Sequence, residues 1–418
     1  MVYVPRVVDA ELSELLSAVG AVVLEGPRAV GKTATARQQA ASEVLLDVDL
    51  NAQQLAAVDP VLLLPGAVPR LLDEWQIEPR LWNQVRREVD ARGDPGQFIL
   101  TGSAVPADDD ARHTGAGRIA RLRVRPMSLF ESGHSSGEMS LAALFDGTAP
   151  RVAQPSLSTL PDIVDRICIG GFPTVTSMTP DVAQRLMRAY LSEIARTDIQ
   201  RVDGIRRDPV RVDRVLRSLA RNIATEAKFA GIAADAGDEG QPLDRETVTA
   251  YLDALERLMI VENAPSWSAE LRSKARLRQA PKRHFTDPSL AVAALNANPR
   301  QLLGDLNYTG FLFESLVVRD LRVYLQRLGG RVLHYRDSNQ HEVDVILQAD
   351  DGRWAAVEVK LGTASVDAAA GSLDKFMQGL DLTKCGEASF KAVITATGSS
   401  AFRRPDGVSV VPIGALGP

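Results

Sequence analysis

Cysteine is nearly absent from this chain of 418 residues: there are two, Cys168 and Cys385, far apart and with no His cluster near either. That scarcity excludes a disulfide framework and a zinc site, and a reducing compartment fits best. No secretory leader is expected either. The N-terminus, MVYVPRVVDAELSELL, carries acids where a signal peptide needs a basic region, and no apolar run approaches the length of a membrane span. The expected location is cytoplasmic, with no membrane partner. Nor is there an excess of charge of one sign. With 48 Lys and Arg against 53 Asp and Glu the net charge is -5, so any basic site must be local. Internal repeats and low-complexity tails are missing. What is present is ordinary globular composition, 45% hydrophobic and 24% charged, in a chain too long for one core.

Residues 21–103 alternate short apolar runs with helical patterns, as parallel α/β units do. AVVLEG (21–26), EVLLDVDL (43–50), VPRLLDE (68–74) and QFILTGS (97–103) read as strands. Between the last two, PRLWNQVRREVDARG sets Leu81, Val85 and Val89 on one helical face and closes at Gly93. A polar loop over 107–117 leads into RIARLRVRP, where Arg121, Arg123 and Arg125 alternate with Leu122 and Val124 at strand period. Residues 134–160 read as a surface connection with one short helix. A helix over 181–196 lines up Val182, Leu186, Tyr190 and Ile194. Residues 207–283 pattern as a winged helix-turn-helix. There Asp244 caps a helix, Leu243 and Val248 staple it, and Val248, Tyr251, Leu252, Leu255 and Leu258 form its buried stripe. From 300 onward the order is helix, several strands, helix, strand.

GPRAVGKT, comprising Gly26, Pro27, Arg28, Ala29, Val30, Gly31, Lys32 and Thr33, matches G-x-x-x-x-G-K-[ST] in full and directly follows an apolar strand. Glycines let the backbone wrap phosphates, the helix opening at Lys32 offers free amides, Lys32 reaches the β and γ phosphates, and Thr33 ligates magnesium. The implied cofactors are ATP and Mg2+. Hydrolysis also needs an acid to order the metal and a group to orient water, best placed at the end of a neighbouring strand. LLDEWQ supplies Asp73 and Glu74 for these roles; helix-capping acids are the plainer reading. ILTGS places Thr101 and Ser103 where a hydroxyl can sense the γ phosphate, or where it is only turn chemistry.

Taken in order, GPRAVGKT, the acidic pair with nearby Gln76, ILTGS, Gly117-Arg118, RPMSLFE and the later GGFP resemble the AAA+ ATPases of bacteria and archaea that carry a C-terminal domain of uncharacterised function. The resemblance implies a homo-oligomer in which Arg118 is the arginine finger for a neighbouring subunit's nucleotide. Arg121, Arg123 and Arg125 compete for that role, and a solvated basic strand face is the alternative for all four.

Two further regions point toward nucleic acid. Arg272, Lys274, Arg276, Arg278, Lys282 and Arg283 concentrate positive charge where a wing can lie along a DNA backbone, although the preceding helix offers the acidic DRE and DALER. Near the C-terminus, EVDVILQADDGRWAAVEVK folds back about Asp351, so that Asp344 faces Glu358 and Glu342 faces Lys360, with Val343, Val345, Val357 and Val359 on the opposite face. Glu314 approaches from an amphipathic helix in TGFLFESLVVRDLRVYL. Carboxylates across a hairpin with a lysine two residues on can hold magnesium and cut a phosphodiester. Glu314, Asp344, Glu358 and Lys360, in the order helix, strand, strand, resemble the PD-(D/E)XK nuclease core; a cross-strand salt-bridge face is the other reading.

The expected architecture is α/β: an AAA+ P-loop ATPase domain over 1–150, a helical connector over 151–206, a winged-helix-like domain over 207–299 and a PD-(D/E)XK-like α/β domain over 300–418. The expected function is ATP binding and hydrolysis coupled to a DNA-associated module, with magnesium-dependent cleavage by that module left open. The alternative is a nucleotide-dependent switch or chaperone-like ATPase acting on protein partners, with an inactive nuclease-like domain.

Overall fold

The computed structural model describes residues 3–102, 115–156, 159–202, 204–237, 241–270, 279–337 and 341–418. Ser103 and the basic residues Arg272, Lys274, Arg276 and Arg278 lie outside these. The chain divides into two units. One is the chain up to Arg125 with Asp198–Arg206 and Arg257–Met259; the other is Pro126–Thr197, Arg207–Glu256 and Ile260–Pro418.

The first unit is built on five parallel strands: β1 (Ala21–Glu25), β2 (Ser42–Leu45), β3 (Arg70–Asp73), β4 (Phe98–Gly102) and β5 (Ile119–Arg123). Their order across the sheet is β2-β3-β4-β1-β5. The inner strands β1, β3 and β4 are short, largely apolar runs because a parallel sheet is covered on both faces, whereas the edge strands β2 and β5 expose Glu43 and Arg121; β4, at the centre, is buried throughout. The helix Leu81–Arg92 presents Leu81, Val85 and Val89 to the same core as Trp82, Leu72 and Phe98, and Gly93 ends it in a left-handed conformation, φ 72°. Strand β2 is shorter than its apolar run suggests, because the chain turns after Leu45 and Asp49 caps a helix over Leu50–Val58.

The second unit contains a mixed sheet in the order β7-β12-β13-β11-β10-β9-β8. Its strands are β7 (Val152–Ala153), β8 (Arg331–Arg336), β9 (Glu342–Gln348), β10 (Trp354–Lys360), β11 (Phe390–Thr395), β12 (Ala401–Arg403) and β13 (Ser409–Pro412). A pair of short strands, β6 (Met139–Ser140) and β14 (Leu416–Gly417), runs parallel beside it. Strands β9 and β10 pair antiparallel with Val345 opposite Val357 and Gln348 opposite Trp354, the register expected from folding back about Asp351. Gly352, φ 89°, closes that turn in a conformation a side chain would resist.

Three expectations are corrected here. The segment 134–160 is no surface connection: β6 and β7 join sheets whose partners lie at 416–417 and 401–402, and Met139, Leu141, Leu144 and Phe145 are buried. The contact division falls at Arg125. The helix Pro180–Glu193 buries Ala183, Met187 and Leu191 and leaves Val182 and Leu186 exposed, so its inward face is one residue round from the expected stripe. The helix Leu306–Leu325 is not amphipathic; every residue from Leu312 to Leu325 is buried.

A helix covered on all sides must find partners for its charges. Arg319, 2% exposed, donates to Asp287 Oδ2 at 2.9 Å and to Asp320 Oδ1 at 2.7 Å. Asp287 also accepts the Gly171 amide, and Asp320 the Leu129 amide. Removing one partner of such a pair strands the other charge, so Asp287→Ala is expected to cost about 3–5 kcal/mol in urea denaturation. A loss below about 1 kcal/mol would show that desolvation already cancels the attraction.

Candidate functional site

In the first unit the loop after β1 runs from Gly26 to Thr33. Two of its residues have left-handed backbone, Ala29 at φ 62° and Gly31 at φ 97°. Only the second is free of strain there. Gly26 is needed for space: a Cβ on it would lie 2.2 Å from the Val124 carbonyl oxygen. The Lys32 ammonium is buried against the carbonyls of Gly26 and Pro27, both at 2.9 Å. Burial pushes it down to about 8, with Glu74 and Asp73 partly offsetting.

Strand register brings the acid to the loop. Asp73 is level with Thr101 on β4, and Thr101 with Leu24 on β1, so the C-terminal ends of β3 and β4 flank the start of the loop. Thr33 Oγ1 donates to Asp73 Oδ1 at 2.9 Å, and Thr101 Oγ1 donates to the same oxygen. Thr101, 1% exposed, holds the acid in position through that bond. Thr33 and Asp73 together offer adjoining hard oxygen donors, the chemistry that suits magnesium. Glu74, next along, has φ 53°, and Gln76 Nε2 donates to its carboxylate. A left-handed glutamate is a costly conformation of the kind that concentrates at functional sites.

Arg118 is not brought to this group. It precedes β5, its carbonyl accepts the amide of Ala21 at the opposite end of β1, and its guanidinium pairs with Asp90 at 2.7 Å. Arg121 pairs with Glu25, and Arg123 is in register with Glu25 at the loop end of the sheet. Two residues that sequence reasoning missed hold the loop from outside. Arg6 donates to the carbonyls of Val30 and Arg125 at 3.1 and 2.7 Å, and Asp198 lies 3.0 Å from the Arg28 guanidinium. Neither has a local signal, since the partners are distant in sequence.

In the second unit Glu314, Glu342, Asp344, Glu358 and Lys360 converge, and a further residue joins them. Lys282 Nζ lies 2.8 Å from Glu314 Oε1, 2.9 Å from Glu342 Oε1 and 3.7 Å from Asp344 Oδ1. Lys360 Nζ bonds Asp344 Oδ2 at 3.1 Å and Glu358 Oε2 at 2.6 Å, and the Val359 amide donates to Asp344 Oδ2. A cavity of about 380 Å3, lined in part by Glu226, Lys282, Arg336 and Glu358, opens beside them. Burial pushes Glu314 and Glu358 up to about 8, the nearby ammoniums only partly offsetting. These residues do not fit a divalent cation: ammoniums already fill the space between the oxygens, and among the described residues no three acids, imidazoles or thiols are arranged around one metal position. Lys282 and Arg283 are correspondingly lost to DNA. Lys282 is 3% exposed, and Arg283 is buried over the Phe229 ring, 3.8 Å from Glu256.

Two outcomes follow from this geometry. Gly26→Ala should weaken binding of a fluorescent ATP analogue at least about tenfold, because the added methyl displaces the loop. His334 is fully buried, burial pushes its imidazole down to about 4, and it stays neutral. A depressed folded value gives stability that is whole above about 6.5 and lost as the pH falls toward 4. The melting temperature should drop across that window, and His334→Gln should flatten the drop.

Residues 19–132 match the model of an AAA domain. Residues 160–301 and 309–416 match two domains of unknown function, DUF8612 and DUF4143. No curated protein matches the chain. Among solved structures, a Walker-type ATPase of Pyrococcus abyssi is 14% identical, with 69% of this chain and 94% of that one covered at a TM-score of 0.41. A DNA replication initiation factor is 16% identical over 60% and 86% of the two chains, TM-score 0.23. A signal transduction ATPase with a tetratricopeptide repeat sensor from Pyrococcus horikoshii is 13% identical over 77% and 48%, TM-score 0.21. No helix among the described residues is long and apolar enough to cross a membrane. The match over 19–132 and the parallel sheet that carries the phosphate loop support a P-loop ATPase domain in the first unit.

Proposed function

We propose that the chain binds ATP on Gly26–Thr33 and hydrolyses it. The observation that carries this reading is the oxygen pair Thr33–Asp73, 2.9 Å apart at the base of the loop, with Glu74 beside it. Lys32 exchanges carbonyl partners for the β and γ phosphate oxygens, and the amides opening the helix Lys32–Ala36 point at the same charge. Thr33 and Asp73 would hold magnesium, which would offset phosphate charge when bound with the nucleotide. Glu74, kept in place by Gln76, orients the attacking water. Ser103 stands as the γ-phosphate sensor and Arg118 as a finger in a homo-oligomer, the latter only if a neighbouring subunit meets its face.

For the second unit we infer a platform that answers nucleotide state. Helices Pro209–Arg221, Phe229–Ala236 and Arg245–Arg257, followed by antiparallel bridges at Val261–Phe285 and Ala264–Lys282, support a winged-helix-like module. The run of helix, β8, β9, β10, helix and β11 supports a PD-(D/E)XK-like fold. A protein partner is favoured over DNA because Lys282 and Arg283, both described members of the basic run, are spent inside the unit.

Glu74→Gln should leave ATP affinity within about twofold while reducing turnover by at least about a hundredfold, read by phosphate release. Unchanged turnover would remove the water-orienting role. ATPase stimulation by duplex or single-stranded DNA, and by no protein, would reverse the choice of partner.

A further inference from the structure

The carboxylate cluster of the second unit has the residue types of a metal site and yet has no room for a metal. We propose that Lys282 stands where a divalent cation would bridge these acids, so that the site is held by an internal ammonium, and that removing this one side chain lets the freed carboxylates close around a divalent cation. This inference concerns the second unit alone and stands whether or not the ATPase reading does.

Lys282 is delivered from a rigid backbone. Its amide donates to the Ala264 carbonyl at 3.0 Å and its carbonyl accepts the Ala264 amide at 2.9 Å. The neighbouring Arg283 amide donates to Thr225 at 2.9 Å. From there the side chain enters the unit and places Nζ among oxygens from the helix Leu306–Leu325 and from β9, with Glu314 and Glu342 at 2.8 and 2.9 Å. A magnesium or calcium ion takes carboxylate oxygens at about 2.0–2.6 Å. The ammonium therefore sits within an ångström of the distance at which a cation would ligate the same two oxygens.

The remaining oxygens are engaged as well. Asp344 Oδ2 receives Lys360 and the Val359 amide, and its Oδ1 faces Lys282 at 3.7 Å. Glu358 Oε2 receives Lys360 at 2.6 Å. An entering dication would have to displace two ammoniums. Lys360 is 30% exposed in its side chain and can swing outward, whereas Lys282 is 3% exposed on a backbone fixed by the Ala264 bridge. Stranding a buried ammonium is costly, so the cation loses the competition.

The test is calorimetric titration of the full chain with manganese chloride and no nucleotide, on wild type, Asp344→Asn, Lys282→Met and Lys282→Met/Asp344→Asn. Any divalent binding at the phosphate loop is common to all four and cancels. Wild type and Asp344→Asn are expected to give the same isotherm, whereas Lys282→Met gains a binding site at least tenfold tighter than anything in wild type, and the double variant loses it. A wild-type site that disappears in Asp344→Asn overturns the proposal, as does a Lys282→Met protein with native circular dichroism and no added site. If Lys282→Met does not fold, the first pair decides alone: equal isotherms support the internal cation and unequal ones refute it.

Discussion

The second unit depends on one buried cation, the Arg319 guanidinium. Its two carboxylates come from different places, Asp320 from the same helix and Asp287 from the cap of the helix Pro288–Ala294. Each carboxylate then takes a distant backbone amide, Asp287 from Gly171 and Asp320 from Leu129. Gly171 in turn accepts Met127 through its carbonyl, and a Cβ at Gly171 would lie 2.1 Å from the Met127 oxygen. RPMSLFE and GGFP, which read as family markers in the sequence, are thus the anchors by which segments far apart in the chain reach a common charge. Burying an ion pair contributes little net stability, but it penalises every arrangement that leaves one member alone. The network therefore selects this packing more than it strengthens it.

The first unit uses the same device at smaller scale. Asp73 is buried at the end of β3 and is satisfied by hydroxyls from Thr33 and Thr101. Hydroxyls orient a carboxylate without bringing a counter-charge to it. The parallel register makes this possible, because level rows across β3, β4 and β1 put Asp73, Thr101 and Leu24 in line just where the loop departs.

Local periodicity made much of this legible. The strands of the parallel sheet, the stripe Leu81, Val85 and Val89, the stripe Val248 to Leu258, and the hairpin register about Asp351 follow from patterns within a dozen or so residues, and the structure has all of them. Illegible were features whose cause lies elsewhere in the chain. Strand β6 looks like loop because the strand it pairs with, β14, is far along the sequence. Val182 and Leu186 look like a core stripe because composition does not say which face another helix will cover. That Arg118 sits at the end of β1 away from its own loop is likewise not written in the order of motifs. Lys282 belonged to a run of basic residues, and only tertiary structure shows that its charge is directed inward.

Two buried lysines make the last point sharper. Lys32 and Lys282 are almost equally hidden, yet burial lowers the first while the carboxylates around the second overcome burial and raise it. The difference is in their contacts. Lys32 rests on two peptide carbonyls, with the charges of Asp73 and Glu74 near but not bonded to it. Carbonyl dipoles are partners that an incoming phosphate can replace with a net gain. Lys282 touches the carboxyl groups of Glu314 and Glu342, partners supplied by the chain itself, and no external anion improves on them. A buried cation is available to a ligand only where the fold has left its charge incompletely answered. By that criterion the phosphate loop remains open to an anion, and the carboxylate cluster of the second unit is closed.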